Sequence, residues 1–555
     1  MMQKVLALAD VPVLILDCQT TGASPATGNL LEIAWSLYGS SNAKDNGVTS
    51  YLVKQPDEEA IPPRITAITG ITDEDMEAAV DPGKILKELR TVIKKLEQPP
   101  LCVIHYARFE LPFLLDFFKR HGRRTTLPVE TICTFEIARR IYPNLPSRGI
   151  RALGGYLGLE LDELKRARSH VATTKEIWSH LIKVLDEQGV RSGDELRSLL
   201  LNKAEKRKGP LEYPLDSKKR LELPDCPGVY RMLNCKGRVL YVGKATSLKS
   251  RVNSHFRGRK RKTNKSFELL SQVTDIVVTE CASPMEAALI ETDQIKHYNP
   301  AYNTSLKAGF RQLVYYSADF KKASEKPSKK IFLGPFSSSS IVEDVVALSK
   351  SLTDETSFEG MLYGIDDGEL IDEGVELFRE CYGDMLDDDF SVDNLLLLGM
   401  KLFRKTRNMV RAQRLAALEE PEPESESDSE VDDIDESEEL LLEDVTAEDV
   451  LARLESALIT MARSFLLSKE LTGLLNVEVT YEYKGKALKT VFKDGQMDSA
   501  NESGKAAAKS KVHPWKGLAV SDFDRLRVLI TEIRRMRSQG SAVKLTPENY
   551  LLSRF

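Results

Sequence analysis

Between Leu223 and Asn303 the chain gathers two phenols, two cations, a carboxylate and an asparagine: Tyr230, Tyr241, Lys244, Arg251, Glu291 and Asn303. These are the parts needed to cut a phosphodiester. A carboxylate holds a divalent metal, the metal and an arginine offset charge on the phosphorane, and a phenol handles the proton of the attacking water. The elements that must position them follow from the pattern. Tyr230 and Tyr241 each sit in a short strand-like run, and Asn234-Cys-Lys-Gly237 between them reads as a hairpin turn. A helix start comes next, with Lys244 and Arg251 expected to project from its first turns. A second helix, about Pro284 to Tyr298, carries Glu286 and Glu291.

The tripeptides Gly228-Val-Tyr230 and Tyr241-Val-Gly243, with Lys244, Arg251, Glu291 and Asn303 in order behind them, resemble the GIY-YIG nuclease domain. The form is that of the N-terminus of the excision-repair nuclease UvrC and its single-nuclease relative Cho. The resemblance implies a small α/β domain over residues 223–305. It implies that Tyr230 is the general base or its relay, that Tyr241 and Lys244 orient water and phosphate, and that Arg251 stabilises the transition state. Glu291 would bind one divalent metal, Mg²⁺ or Mn²⁺, and Asn303 would support the site.

A length of 555 residues calls for several domains, and a hydrophobic share of 42% is that of globular protein. The net charge of −6 conceals an asymmetry: Lys and Arg crowd Lys203–Lys265, and acids crowd Glu419–Asp444. A basic patch beside a nuclease site suits a polyanion. Within it, Arg257, Arg259, Lys260, Arg261 and Lys262 are nearly consecutive and are expected to grip the DNA backbone. The seven cysteines form no Cys-x-x-Cys pair, which argues against zinc modules and disulfide frameworks and fits a reducing cytoplasm. Met1–Leu16 is apolar, but Asp10 and Pro12 interrupt it, so it is expected as a first strand rather than a signal peptide. No uncharged run reaches membrane-spanning length, so no membrane partner is expected.

Residues 9–190 alternate strands and helices, an α/β layer pattern. The motif Asp17-Cys-Gln-Thr-Thr-Gly22, then His105-Tyr-Ala-Arg-Phe-Glu110, then Lys165-Arg-Ala-Arg-Ser-His170 resembles the RNase H-like, DnaQ-type (DEDDh) 3′–5′ exonuclease fold. In that family four acids hold two metals and a histidine is the base. Here Gln19 stands at one acidic position, His170 at another, and Lys165 at the base. Two metals about 4 Å apart need several anionic oxygens, and a lysine is normally protonated at neutral pH. Asp17, Glu110 and His170 could hold a single metal. The fold is therefore expected without its exonuclease activity, leaving a DNA-docking module or an inherited scaffold.

Residues 191–222 read as a helix and a basic linker that either contacts phosphates or is a solvated tether. Residues 306–418, with a Gly334-Pro-Phe336 segment similar to one in UvrC and Cho, read as a mostly helical accessory region. Residues 419–446 are an acidic linker, disordered by composition. Residues 447–555 read as an α+β module with a hairpin about Lys484-Gly485. No second nuclease or helix–hairpin–helix repeat is visible, so one cut per active site is expected. The leading expectation is a metal-dependent DNA endonuclease of the nucleotide-excision-repair type, with damage-recognition proteins as partners. The alternatives are a 3′–5′ exonuclease working through the N-terminal domain and a non-catalytic DNA-binding repair factor.

Overall fold

Val13–Thr20 alternates at period two, so Val13 and Ile15 face one side of the sheet while Leu14, Leu16 and Cys18 face the other. The computed structural model describes residues 7–39, 47–56, 60–96, 100–122, 126–159, 161, 164–204, 209–257, 263–303, 312–354, 356–360, 367–417, 446–498 and 517–546. Val13–Thr20 is the middle of five strands, in the order Thr49–Leu52, Leu30–Tyr38, Val13–Thr20, Leu101–Ile104, Glu130–Cys133. The first three are antiparallel and the last two run parallel to Val13–Thr20. Helices Pro82–Ile93 and Ala107–Gly122 cover the Leu14 side. Thr134–Ile141, Ile150–Tyr156 and Ala167–Glu187 cover the Val13 side, with Trp178 fully buried. The layered α/β expectation holds. The first strand, however, begins at Val13, after Pro12, which has no N–H to give the ladder.

Met1–Cys281 with Pro300–Thr304 forms one compact unit, and Ala282–Asn299 with Ser305–Phe555 a second. In the first unit a smaller sheet follows the five-stranded one. Its strands, in the order Val239–Ala245, Gly228–Leu233, Asp275–Glu280, are all antiparallel. The hairpin turns at Asn234–Gly237 as expected. Asn234 Oδ1 accepts from the N–H groups of Lys236 and Arg238 at 3.1 and 2.9 Å, and Gly237 takes φ +77°. Ser247 caps the helix Leu248–Phe256, accepting from Ser250 N at 3.1 Å.

The stretch 191–222 is more than a tether. The helix Gly193–Leu201 starts on a capping box of Ser192 and Glu195. Its Arg197 binds Glu130 at 2.6 and 2.8 Å. Leu215 is buried in the core that holds Tyr230 and Val252. Lys219 pairs with Asp275 at 2.7 Å, while Arg220 bonds Asn253 and lies 5.2 Å from the Phe256 ring. Two cations expected to meet phosphate or solvent are thus engaged within the fold.

In the second unit, strands Val314–Ser317 and Ile331–Phe336 and helices Ser340–Asp354, Gly368–Leu386 and Val392–Ala417 share a core with Val450, Leu454 and Met461 of the helix Ala447–Gly473. Leu471 of that helix enters another core with Val477, Phe492 and Phe523. Met285 and Leu289 from the helix Pro284–Tyr298 join it. Packing therefore crosses the 419–446 divide, and the helix expected inside residues 223–305 contributes to the second unit. The acidic run itself lies outside the described residues.

One buried charge fastens the sheet of the N-terminal domain. Glu32, 2% exposed, accepts from Arg166 Nε and Nη2 at 3.1 Å each, from Ala167 N at 2.9 Å and from Ser50 Oγ at 2.9 Å. Removing one partner of a buried pair leaves the other charge uncompensated. Arg166 is 37% exposed and Glu32 keeps two other donors, so Arg166→Met should destabilise the chain by roughly 1 to 2 kcal/mol, read from urea unfolding, and Glu32→Gln with Arg166→Met together should recover part of that loss.

Candidate active site

Tyr230 lies on the middle strand of the three-stranded sheet, opposite Gly243 on one side and Val278 on the other. Its ring has no exposed surface. A Cβ at Gly243 would lie 2.6 Å from Tyr230 Cζ and 2.8 Å from Tyr241 Cε1. Only glycine leaves room for both rings. Tyr230 Oη lies 2.7 Å from Nε2 of His255. The rings of Tyr230, Tyr241 and His255 form a triangle with centroids 5.7 to 6.0 Å apart. The sequence reading missed His255. The signal was there: it stands four residues after Arg251 on the helix Leu248–Phe256, and i,i+4 positions share a helix face.

Lys244 belongs to the strand Val239–Ala245, not to the helix on which it was expected. It pairs with Val229, so by alternation it is on the opposite face of the strand from Gly243. Asn303 is buried, and both ends of its amide are engaged with one residue of that strand. Its Oδ1 accepts from Val242 N and its Nδ2 donates to Val242 O, each at 2.9 Å. It is a backbone clamp between Tyr241 and Gly243. Glu291 is half-buried on the helix Pro284–Tyr298, in the second compact unit. A single carboxylate suits magnesium, which keeps several waters and takes oxygens from substrate phosphate. Arg257 is exposed just after the Arg251 helix. Arg259, Lys260, Arg261 and Lys262 lie outside the described residues.

In the N-terminal domain, alternation places Asp17 and Gln19 on the sheet face under the helix Ala167–Glu187, and there they meet His170. His170 Nδ1 is 3.2 Å from Asp17 Oδ1 and 3.4 Å from Gln19 Nε2, and His170 Nε2 is 3.4 Å from Leu164 O. Glu110 is buried and accepts from Cys18 N at 3.1 Å. Burial pushes the Glu110 carboxyl well up, and Asp17 beside it adds to the rise. Burial also raises Asp17, against the pull of His170. Burial would lower His170, but Asp17 and the Leu164 carbonyl outweigh it and hold the imidazole above its usual range. Burial thus favours the proton on Glu110, and Asp17 and His170 share a hydrogen bond. His105 is different: burial drives it down to about 3, and it stays neutral against Thr134 at 2.9 Å.

The sequence model of the UvrC-like GIY-YIG domain matches residues 226–304, and that of the exonuclease family matches residues 14–173. The chain carries an exonuclease domain followed by a UvrC-like GIY-YIG domain. It is 28% identical over 354 residues to a Mycobacterium tuberculosis protein named as a bifunctional exonuclease/endonuclease, covering 62% of this chain and 53% of that one. It is 38% identical over 136 residues to the UvrABC system protein C of Chromohalobacter salexigens, covering 23% of this chain and 22% of that one. The crystal structure of the GIY-YIG N-terminal endonuclease domain of UvrC from Thermotoga maritima, bound to magnesium, is 34% identical. It covers 16% of this chain and 93% of that one, with a TM-score of 0.15. The chain thus spans about half the length of the mycobacterial relative and about a fifth of the Chromohalobacter one.

The exonuclease domain does not fit the metals of its family. Among the described residues no group of three His, Cys, Asp or Glu side chains is placed to hold a metal ion. Of the expected single-metal set, Asp17 and His170 meet at 3.2 Å, while Glu110 is turned to Cys18 N. Glu110 accepts from Cys18 N–H, and both His170 nitrogens face partners within the protein.

The pH dependence has a definite sign. His170 and Glu110, raised in the fold, contribute stability below their unfolded pKa values and lose it as pH rises through the folded ones. His105, lowered in the fold, contributes above about 6.5 and loses that as pH falls. Between about pH 7 and about pH 9 the His170 contribution is lost, joined toward the upper end by the Cys18 and Cys102 thiols, which burial also raises. Thermal stability should therefore fall across that interval, and His170→Gln should flatten the fall; a parallel slope in the variant would refute the Asp17–His170 pair.

Proposed function

We propose that this chain is a divalent-metal-dependent endonuclease that hydrolyses one phosphodiester of damaged or structured DNA through its GIY-YIG site. The observation that carries the reading is the buried Tyr230 phenol, fitted against Gly243 and hydrogen-bonded to His255. Tyr230 has no exposed surface, so it acts through its hydrogen bond to His255 rather than as the base that meets water. His255, half-buried at the other end of that bond, takes the proton of the attacking water, with Tyr230 and Tyr241 fixing its ring. Lys244 and Tyr241 orient the phosphate, and Arg251 offsets charge as the phosphorane forms. Glu291 would hold the Mg²⁺ or Mn²⁺ ion, which when bound supplies Lewis-acid charge at the phosphate. Asn303 acts through the backbone it clamps. The likeness to UvrC proteins supports a place in excision repair and damage-recognition proteins as partners. The alternative, 3′–5′ exonuclease chemistry in the N-terminal domain, is disfavoured by the Asp17–His170 pair and the buried Glu110.

The test is cleavage of a lesion-bearing duplex labelled at either end. Glu291→Gln should bind it as the wild type does and lose Mg²⁺-dependent cutting by roughly 100-fold or more. Glu286→Gln is the control, because Glu286 Oε2 accepts from Ala282 N at 2.6 Å as part of the helix cap. Full cutting by Glu291→Gln would reject the metal assignment. Mononucleotides released from 3′-labelled single strands, surviving in Glu291→Gln but lost in Glu110→Ala, would favour the exonuclease reading.

The basic run after Arg251 is proposed to hold the DNA backbone. Removing one cation that neutralises a phosphate should reduce the salt slope of log affinity by roughly 0.9. Replacing Arg259, Lys260, Arg261 and Lys262 by Ser should therefore flatten that slope and weaken binding to all sequences alike. An unchanged slope in filter-binding titrations would remove the run from the interface.

A further inference from the structure

We propose that the exonuclease domain is a brace for the endonuclease site, acting through a line of contacts from Gly155 to Gln272, Tyr302 and Asn303; this rests on the GIY-YIG site being where DNA is cut. Gly155 is buried on the helix Ile150–Tyr156. A Cβ there would overlap the Gln272 side chain, which comes from the GIY-YIG domain and is itself buried. Gln272 Nε2 donates to Tyr302 Oη and to Glu268 O, the latter at 3.0 Å. Tyr302 Oη donates to Glu268 Oε1 at 2.7 Å, and Tyr302 N donates to Leu240 O at 3.0 Å. The next residue is Asn303, whose amide clamps both polar groups of Val242. Val242 separates Tyr241 from Gly243, the residue whose missing side chain admits the Tyr230 ring.

Independent contacts keep the two domains docked while this line positions the strand. Ser147 N donates to Ser271 Oγ at 2.9 Å. Glu212 N donates to Asn144 O at 3.0 Å, and Asn144 Nδ2 donates to Glu212 Oε1 at 2.8 Å. Burial, with Glu268 beside it, pushes the Tyr302 hydroxyl up, so it remains a phenol able to donate. Gln272 and Tyr302 are therefore positioning residues. The side chain of Gln272 sits where the exonuclease domain allows it, and the strand bearing Tyr241 follows.

The full chain carries the test, as Gly155→Ala, Tyr302→Phe, the double variant and Glu212→Ala. Two readouts are taken: kcat and KM on the end-labelled duplex, and amide exchange of the Val239–Ala245 strand. Gly155→Ala and Tyr302→Phe should each lower kcat roughly tenfold with KM nearly unchanged. Each should speed exchange of the Val242 amide by about tenfold. The double variant should fall no further than the weaker single one, because both act on one line. Glu212→Ala, cutting an exposed contact off that line, should change neither readout. Wild-type kcat and exchange in Gly155→Ala and Tyr302→Phe would overturn the brace, as would an equal loss in Glu212→Ala. If the wild type does not cut at all, the endonuclease reading fails, and exchange at Val242 alone decides the brace.

Discussion

Everything in the GIY-YIG domain depends on a phenol ring occupying the space of an absent side chain. Tyr230 is held against Gly243 across an antiparallel pair, and a Cβ at 243 would meet its Cζ at 2.6 Å. The ring has no exposed surface, and its hydroxyl lies 2.7 Å from His255 Nε2. The glycine is needed for close approach and not for an unusual backbone, since it is not among the positive-φ residues. The constraint also fixes register. A slip of one residue along this pair would exchange the faces of the strand and present Lys244 or Val242 to the Tyr230 ring. The amide of Asn303, bonded to both polar groups of Val242, opposes such a slip at the neighbouring residue.

The two catalytic-looking centres hold their carboxylates in different ways. The carboxylate expected at the GIY-YIG site, Glu291, lies on a helix whose first turn is closed by Ser283 and Glu286. In the exonuclease domain the carboxylates are buried: burial raises both, Glu110 the further, and Asp17 is held by His170 at 3.2 Å. A buried ion pair is a weak source of stability, because desolvation cancels much of the attraction. Gln19 completes the closure by donating its amide toward Asp17 Oδ2 at 3.4 Å, where a third carboxylate would have repelled it.

Local grammar made much of this legible from sequence. The hairpin at Asn234–Gly237, the helix start near Pro284 and the turn at Lys484–Gly485 each follow from short-range residue chemistry. The failures share a cause, since each needed a partner far away in the chain. His255 reads as an ordinary helix residue until the Tyr230 hydroxyl is found at its Nε2. Lys219 and Arg220 read as a charge run until Asp275 and Phe256 are found beneath them. Lys244 looked helical because Ser247, three residues on, begins a helix, yet Lys244 still pairs with Val229. Met285 and Leu289 stand four apart and share a helix face, but nothing local shows that Val477 and Phe523 lie beside them.

The helix Ile150–Tyr156 shows how local cost and distant contact trade against each other. It carries two adjacent glycines, Gly154 and Gly155, and glycine inside a helix costs roughly 1 kcal/mol relative to alanine. Neither has the positive φ that would explain a glycine by backbone need. A Cβ at Gly154 would lie 2.8 Å from Leu161 Cδ2, within the exonuclease domain itself. A Cβ at Gly155 would enter the Gln272 side chain of the GIY-YIG domain. The first glycine lets the domain pack on itself, and the second lets it pack on its neighbour. A domain serving only as an inherited scaffold would gain helix stability from alanine at 155, because the three nearest atoms a Cβ would meet all belong to Gln272. The loss is offset only if close approach to the GIY-YIG domain is itself worth about as much, which makes this face of the exonuclease domain an interface rather than a surface.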